Sequence, residues 1–220
     1  MNSLAGPSTQ VWVERLANRK EPLLTWYSTG RVELAGPVLA RWLAKVDNYL
    51  DAEFPFGAAT FHLHLPDCWQ KIVWEAALAL RGWEAGPADQ VELVISDDLE
   101  LLTAAAGAGL TAIAQPTDPL ALSWSGELPA GVSDAPGELN SQADQPLASL
   151  PDGPLWPVEN NLLAGLPVPP GRVFVQHPEV GKLLQLWWHG GSALVIDNWA
   201  DDRERTRSLM DQEQAEQVLA

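Results

Sequence analysis

Residues 91–115 read VELVISDDLELLTAAAGAGLTAIAQ, and the order of apolar and polar positions in this stretch decides the fold. Residues 91–95 are apolar at all but one position and predict a buried strand. Residues 96–98, Ser-Asp-Asp, can cap a helix over residues 99–106, which the following glycines end. A second strand is predicted over residues 111–115. Two strands joined through a helix by short connections form a parallel crossover unit.

The chain upstream of this unit has the same alternation of strand and helix. Residues 59–65 alternate apolar and polar positions and predict a strand that Pro66 ends. Asp67 is predicted to cap a helix that runs to about Trp83. A further strand is predicted over residues 120–124. The resulting order predicts an α/β fold with layers, in which a mainly parallel sheet is flanked by helices.

The N-terminal part of the chain is predicted to begin with a short helix near residues 7–8. Residues 23–34 form two β-prone runs around a glycine-containing turn at 28–30, which is typical of a hairpin. Residues 36–52 carry apolar side chains at helical spacing, with Lys45 and Asp47 on the other side, and predict an amphipathic helix.

The C-terminal part returns to regular structure after a long irregular stretch. Residues 172–176 predict a strand, residues 178–188 a helix that two glycines end, and residues 192–197 a second buried strand. Residues 201–219 are predicted to form a polar helix with a narrow apolar stripe.

We expect a single α/β domain over residues 1–220. It would comprise a first βα lobe at 1–124, an irregular excursion or linker at 125–171 and a second βα segment at 172–220. The middle part is rich in Pro, Gly, Asp, Ser and Asn, with a short helical turn predicted at residues 159–164. A stretch of this length is uncommon for a loop inside a compact domain.

The composition excludes several classes of function. The 220 residues are 46% hydrophobic and carry a formal net charge of −16, so the chain would repel nucleic-acid backbones and anionic lipid surfaces. No apolar stretch is long enough to span a bilayer. The eleven tryptophans fit either a bulky core or, for some rings, a contact surface.

The single cysteine, Cys68, cannot form an internal disulfide, which is typical of a protein of the reducing cytoplasm. Residues 1–10 lack the basic-then-apolar pattern of a signal peptide. We therefore expect a cytoplasmic protein with no nucleic-acid or membrane partner.

The sequence contains few residues in patterns typical of catalysis or metal binding, and each has a structural interpretation. His62 and His64 share one face of a strand and could ligate a metal, but such a site needs further ligands, so hydrogen-bonded histidines are the favoured interpretation. The acidic pairs at 97–98 and 201–202 fit helix caps. The Gly-x-Ser-x-Gly and phosphate-loop patterns are absent. We expect no metal, no cofactor and no catalytic residue.

The ends of the predicted strands offer the best candidate for a ligand pocket, since open α/β sheets bind ligands there. The candidate residues are Asp67, Trp69, Asp97, Asp118 and His177. The alternative, which we favour, is that these side chains are ordinary helix caps and turn formers.

Three segments in order resemble the N-terminal part of the adenylate-forming superfamily, which includes acyl-CoA synthetases. They are LTWYSTGRVEL at 24–34, LHLPDCW at 63–69, and the strand at 172–174 followed by a helix that ends in Gly-Gly at 190–191. The chain also resembles a group of short bacterial proteins related to these enzymes. The resemblance implies a synthetase-like layered α/β domain.

The resemblance also implies a Ser/Thr/Gly-rich loop whose Lys grips the ATP phosphates, between about residues 120 and 172. Residues 148–156 read ASLPDGPLW instead, and no Lys or Arg occurs from residue 83 to 171. The aromatic-Thr-Glu motif, the ribose-binding Asp and the C-terminal lobe with its catalytic Lys do not appear. No catalytic residue can be assigned from the resemblance.

Three hypotheses follow. The first is a non-catalytic relative of adenylate-forming enzymes that acts as a binding or interaction module. The second is a binder of small acyl or CoA-type ligands, or an enzyme, that has lost the ATP phosphate loop. The third is homo-oligomerisation through the C-terminal helix and exposed tryptophans.

Overall fold

The computed structural model describes residues 9–55, 59–146 and 171–219. In chain order the helices and strands are α1 (Thr9–Ala17), β1 (Pro22–Tyr27), β2 (Arg31–Ala35), α2 (Gly36–Glu53), β3 (Thr60–His64), α3 (Trp69–Leu80), β4 (Glu84–Ala85), β5 (Leu93–Ser96), α4 (Leu99–Gly107), β6 (Thr111–Ala114), β7 (Val132–Asp134), α5 (Ala135–Ser141), β8 (Arg172–Val175), α6 (Val180–Trp188), β9 (Ser192–Ile196), α7 (Arg203–Gln212) and β10 (Ala215–Leu219). The described residues fall into two compact units. The first unit is built from residues 41–146 and the second from residues 11–40 and 171–219.

The first unit contains a five-stranded sheet in the order β4-β3-β5-β6-β7, and all of its strand pairs are parallel. Every residue of β5 is buried, as expected for a central strand covered on both faces. The helix α4 packs its Leu102 and Ala105 against Val94, Ala112 and Ala114 of the sheet. The crossover unit predicted from residues 91–115 is therefore confirmed.

The second unit contains a five-stranded sheet in the order β10-β8-β9-β1-β2. Its strands are parallel except for the predicted hairpin of β1 and β2, which is antiparallel. One sheet face packs Tyr27, Phe174 and Leu194 against Leu209 and Met210 of α7. The α/β, mainly parallel fold is thus confirmed, with its strands divided between two sheets.

Two predicted elements are wrong. Residues 120–124 form turns and bends rather than a strand. The predicted helix over 201–219 ends at Gln212, because Gln214 adopts a left-handed backbone with φ of 55° and the chain then enters β10. β10 pairs in parallel with β8, so the last residues complete a sheet instead of a helix.

Three described elements were not predicted from the sequence: β4, β7 and α5. The last two lie inside the stretch predicted to be irregular. The helical turn predicted at residues 159–164 and the unusual interval at 148–156 lie outside the described residues. The division into two lobes and an excursion stays a prediction.

The tryptophan side chains lie in the core rather than on an exposed contact surface. Every tryptophan in the described ranges is buried or half-buried, and Trp12, Trp74 and Trp187 are among the largest fully buried side chains. The indole N–H groups of Trp74 and Trp187 donate to Gln115 Oε1 at 2.9 Å and to Leu23 O at 2.8 Å, respectively. Among the described helices, none combines the length and the apolar character that crossing a bilayer requires.

Candidate functional site

The carboxyl ends of β3, β5 and β6 lie side by side in the parallel sheet of the first unit. The segments that follow these strands, residues 65–70, 96–98 and 115–118, therefore meet at one edge, which we call the strand-end edge. Four of the five predicted site residues lie on it, as the topology of a parallel sheet requires. They are Asp67, Trp69, Asp97 and Asp118.

Asp67 does not cap the helix that follows it, contrary to the sequence prediction. Its carboxylate accepts a bond from Lys71 Nζ at 2.9 Å and is more than half exposed. The cap is Cys68, whose Sγ accepts from the backbone N–H of Lys71 at 3.4 Å. Burial opposes the charge of Lys71, but the hydrogen bond to Asp67 and the negative charges of Asp67 and Glu75 together outweigh it, so the Lys71 pKa is raised.

Trp69 and Gln70 are both buried at the strand-end edge, and each leaves one polar atom without a partner. The Trp69 ring packs against Trp42 at 5.5 Å between centroids, and its Nε1 has no hydrogen-bond partner. Gln70 donates from Nε2 to Asp118 O at 2.9 Å, while its Oε1 has no partner. Buried polar groups are nearly always paired, so one donor and one acceptor remain unsatisfied here.

Asp97 and Asp118 occupy turns. Asp97 is half-buried, and it precedes Asp98, which caps α4 by accepting from Glu100 N at 2.8 Å. Asp118 is exposed, and its Oδ1 accepts from Leu120 N at 2.8 Å. These contacts are typical of turn formers and caps.

Cys68 is the only thiol of the chain and lies in the segment of this edge that follows β3. Burial is the largest influence on it, and the negative charge of Asp97 adds to it, so that the Cys68 pKa rises to about 11. A nucleophilic cysteine needs a depressed pKa and an accessible sulfur. The environment of Cys68 therefore keeps it in the unreactive thiol form.

His177, the fifth candidate, belongs to the second unit. It follows β8, is exposed, and its ring lies 6.2 Å from Trp199 in an edge-on arrangement. The structure therefore assigns it to a different sheet from the other four candidates.

On β3, His62 is hydrogen-bonded and its ring stacks on that of His64. His62 Nδ1 lies 2.9 Å from Gly86 O, and the rings of His62 and His64 stack at 6.3 Å between centroids. Within the described ranges, no group of three or more His, Cys, Asp or Glu side chains could hold a metal ion.

The cationic side chains of the first unit are all engaged in ion pairs. The chain has four Lys and Arg residues between positions 41 and 171, and each contacts a carboxylate of its own unit. The pairs are Arg41–Asp144 at 3.4 Å, Lys45–Asp144 at 3.1 Å, Lys71–Asp67 at 2.9 Å and Arg81–Asp47 at 2.6 Å.

Two of these ion pairs correct the sequence analysis. Lys45 and Asp47 were predicted on the polar side of α2, yet both are buried. Lys45 Nζ donates to Gln142 O at 2.7 Å, and Asp47 accepts from Arg81, the residue that follows α3. The periodicity of one helix carries no signal for polar partners that are supplied by another element.

The second unit has a polar cleft that the sequence did not predict. Its volume is about 530 Å³, and its lining residues are Arg19, Glu21, Gly171, Arg172, Gly190, Ser192, Gln212, Glu213 and Gln214. Arg19 Nη1 donates to Trp187 O at 3.0 Å, and Arg19 Nη2 donates to Gly190 O at 2.9 Å, so this guanidinium holds the end of α6.

Glu213 is the buried centre of a polar network beside this cleft. It accepts from Tyr27 Oη at 2.7 Å, from Arg31 Nε at 2.9 Å and from Arg172 Nη1. Tyr27 and Arg31 lie more than 180 positions away in the chain, so no local sequence pattern could have identified this network.

Solved structures of other proteins match the fold of this chain. An acyl-CoA synthetase from Brucella canis matches with a TM-score of 0.66 and 16% identity, over 99% of this chain. Fatty acyl-adenylate ligases from E. coli and L. pneumophila match at 0.66 and 14%. The chain has the fold of adenylate-forming enzymes. The adenylation domain of a keto acid-selecting NRPS module, bound to keto acyl adenylate, matches it at 0.64 and 12%.

The likeness to adenylate-forming enzymes is one of fold. The chain spans a little under half the length of these three structures, 46–48%. A crystal structure of the N-terminal domain of FACL13 from Mycobacterium tuberculosis also matches, with 60% of that chain covered. No protein-family model matches the sequence, and no curated protein matches it either.

Proposed function

We propose that this chain is a non-catalytic relative of adenylate-forming enzymes that acts as a binding or interaction module. The observation that carries the proposal is the pairing of every Lys and Arg between residues 41 and 171 with a carboxylate of the same unit. The single buried thiol of Cys68 is consistent with the cytoplasmic location that we also propose.

Binding a triphosphate requires cations or oriented N–H groups that neutralise its charge. Lys71 directly follows the first segment of the strand-end edge, and it is ion-paired with Asp67 of that segment. A phosphate that took Lys71 would leave the Asp67 carboxylate beside a polyanion, at a site that already carries Asp97 and Asp118. Local charge therefore opposes a nucleotide at the place where the fold would offer it a site.

Titration with ATP and magnesium tests the proposal. We expect no saturable heat by calorimetry at ligand concentrations up to about 1 mM, which corresponds to about −4 kcal/mol of binding free energy. Titration with magnesium alone gives the matched baseline. A saturable heat that appears only with the nucleotide would contradict the proposal.

A second candidate function is the binding of a small acyl or CoA-type ligand at the strand-end edge. It is favoured by the two unsatisfied buried atoms there, Trp69 Nε1 and Gln70 Oε1. A ligand group that accepts from the indole N–H, or one that donates to the amide oxygen, would remove the corresponding penalty.

A thermal-shift screen of acyl and CoA compounds tests this second candidate with a matched pair of variants. We expect a stabilising compound at about 100 Kd to raise the wild-type Tm by roughly 5–10 °C. Trp69→Phe keeps an aromatic ring but removes the N–H, and should abolish the shift. Trp83→Phe is the control, because Trp83 Nε1 is also buried without a partner but follows α3 at its far end. A flat screen, or equal loss in both variants, would contradict ligand binding at Trp69.

A further inference from the structure

Two leucines stand out on the turn that follows β6. Leu120 and Leu122 are each 82% exposed, whereas the other large apolar side chains exposed in the described ranges, Val11 and Val218, are 44% exposed. Isolated exposed apolar residues are common, but two leucines this exposed on one short segment are typical of a contact site.

The backbone of this turn is held in place from both ends. Asp118 Oδ1 accepts from Leu120 N at 2.8 Å, and Asp118 O accepts from Gln70 Nε2 at 2.9 Å. On the other side, Trp124 N donates to Asp134 Oδ1 at 2.9 Å. A turn that is already fixed loses little conformational entropy on binding, which favours its use as a docking element.

The charged residues around the leucines indicate which charge a partner surface would need. Residues 83–171 contain no Lys or Arg, and Asp118, Glu127 and Asp134 lie on the segments next to the leucines. An apolar contact with an acidic border is complementary to an apolar pocket with a basic border. A second copy of this chain, which carries a net charge of −16, would bring like charges together at the same border.

We propose that Leu120 and Leu122 insert into an apolar pocket, bordered by Lys and Arg, on a different protein. The inference deepens the proposed function, because it rests on the chain being an interaction module and assigns the surface and the partner chemistry. Burying two leucines that are otherwise exposed contributes roughly a hundredfold or more in affinity.

The experiment places the photoreactive residue p-benzoylphenylalanine at position 121 of the full chain, between the two leucines. Ala121 suits this substitution because its backbone N–H, and not its side chain, donates to Asp118 O at 3.2 Å. The protein that crosslinks in the source cells is then purified, and its Kd is measured for the wild type, for Leu120→Ser with Leu122→Ser, and for Val218→Ser.

We expect the double variant to bind roughly a hundredfold more weakly with an unchanged Tm, and Val218→Ser to bind as the wild type does. Raising the salt from about 0.05 M to 0.5 M should weaken wild-type binding several-fold. The proposal would be overturned by a crosslink only to another copy of the chain or to lipid, by no crosslinked protein, or by equal affinities of the three proteins.

The crosslinking test of the docking surface and the nucleotide titration of the non-catalytic proposal can give negative results independently of each other. A nucleotide heat accompanied by a leucine-dependent partner would overturn the non-catalytic proposal and support the docking surface. Absence of both the heat and the partner would overturn only the docking surface.

Discussion

Arg81→Met is expected to lower the unfolding free energy of the chain by about 4 kcal/mol. Arg81 Nη1 lies 2.6 Å from Asp47 Oδ1, and the two side chains are 7% and 4% exposed. Removing the guanidinium leaves a carboxylate that is buried with no opposite charge. Urea unfolding, monitored by tryptophan fluorescence, measures the loss.

A double variant separates the ion pair from the loss of packing. Replacing both partners, Asp47→Leu with Arg81→Met, removes the stranded charge and should restore most of the stability, because apolar replacements of buried pairs are often neutral or stabilising. If the double variant is as unstable as Arg81→Met alone, the loss arises from packing and the interpretation is wrong.

The pH dependence of the single variant gives an independent check. Burial already raises the Asp47 pKa, even though Arg81 acts against it, and removing Arg81 leaves burial unopposed. A group with a raised folded pKa contributes stability below its unfolded pKa and loses it as the pH rises through the folded value. Arg81→Met should therefore be less destabilised near pH 5 than near pH 8, and an equal deficit at both would contradict this account.

The sequence predicted those parts of the fold whose signals are local. The strand, cap and helix within residues 91–115 depend on neighbours a few positions away, and Asp98 caps α4 as expected. The hairpin of β1 and β2 carries its turn within the same short stretch. Such elements are specified by periodicity and capping, which a single sequence displays directly.

Pairings between distant segments were not predictable in the same way. β1 joins β9 across more than 160 positions, with Leu24 beside Ala193, and this pairing places the hairpin in a second sheet. β10 reads AEQVL after a polar helix, so only its pairing with β8 distinguishes it from a continuation of α7. Tertiary contacts decide such segments, and their own composition does not.

The candidate site shows the same limit. The predicted parallel sheet implied that Asp67, Trp69, Asp97 and Asp118 lie at one edge, because strand ends in a parallel sheet are neighbours. The observed strand pairing places them there. The partners of these side chains, such as Lys71 for Asp67, were decided by helix geometry that the cap prediction did not consider.

The second large effect is expected at Glu213 in the second unit. Glu213→Gln should lower the unfolding free energy by about 3 kcal/mol, because the neutral amide no longer compensates Arg31 and Arg172, and its NH₂ group would face their donors. Glu33→Gln is the matched control. Glu33 pairs with the same Arg31 at 2.7 Å but is 36% exposed, so its loss should cost less than about 1 kcal/mol.

The unfolding free energy at low pH shows whether Glu213 stabilises the unit through its charge or only through packing. Burial alone would raise the Glu213 pKa, but the hydrogen bonds from Arg31 and Tyr27 and the positive charges of Arg31 and Arg172 together outweigh it, so the pKa is lowered. A lowered folded pKa contributes stability above the unfolded value of about 4.3, and that stability is lost as the pH falls through the folded value. The difference between the wild type and Glu213→Gln should therefore shrink below about pH 4. Parallel profiles down to about pH 3 would show that the charge of Glu213 does not stabilise the second unit.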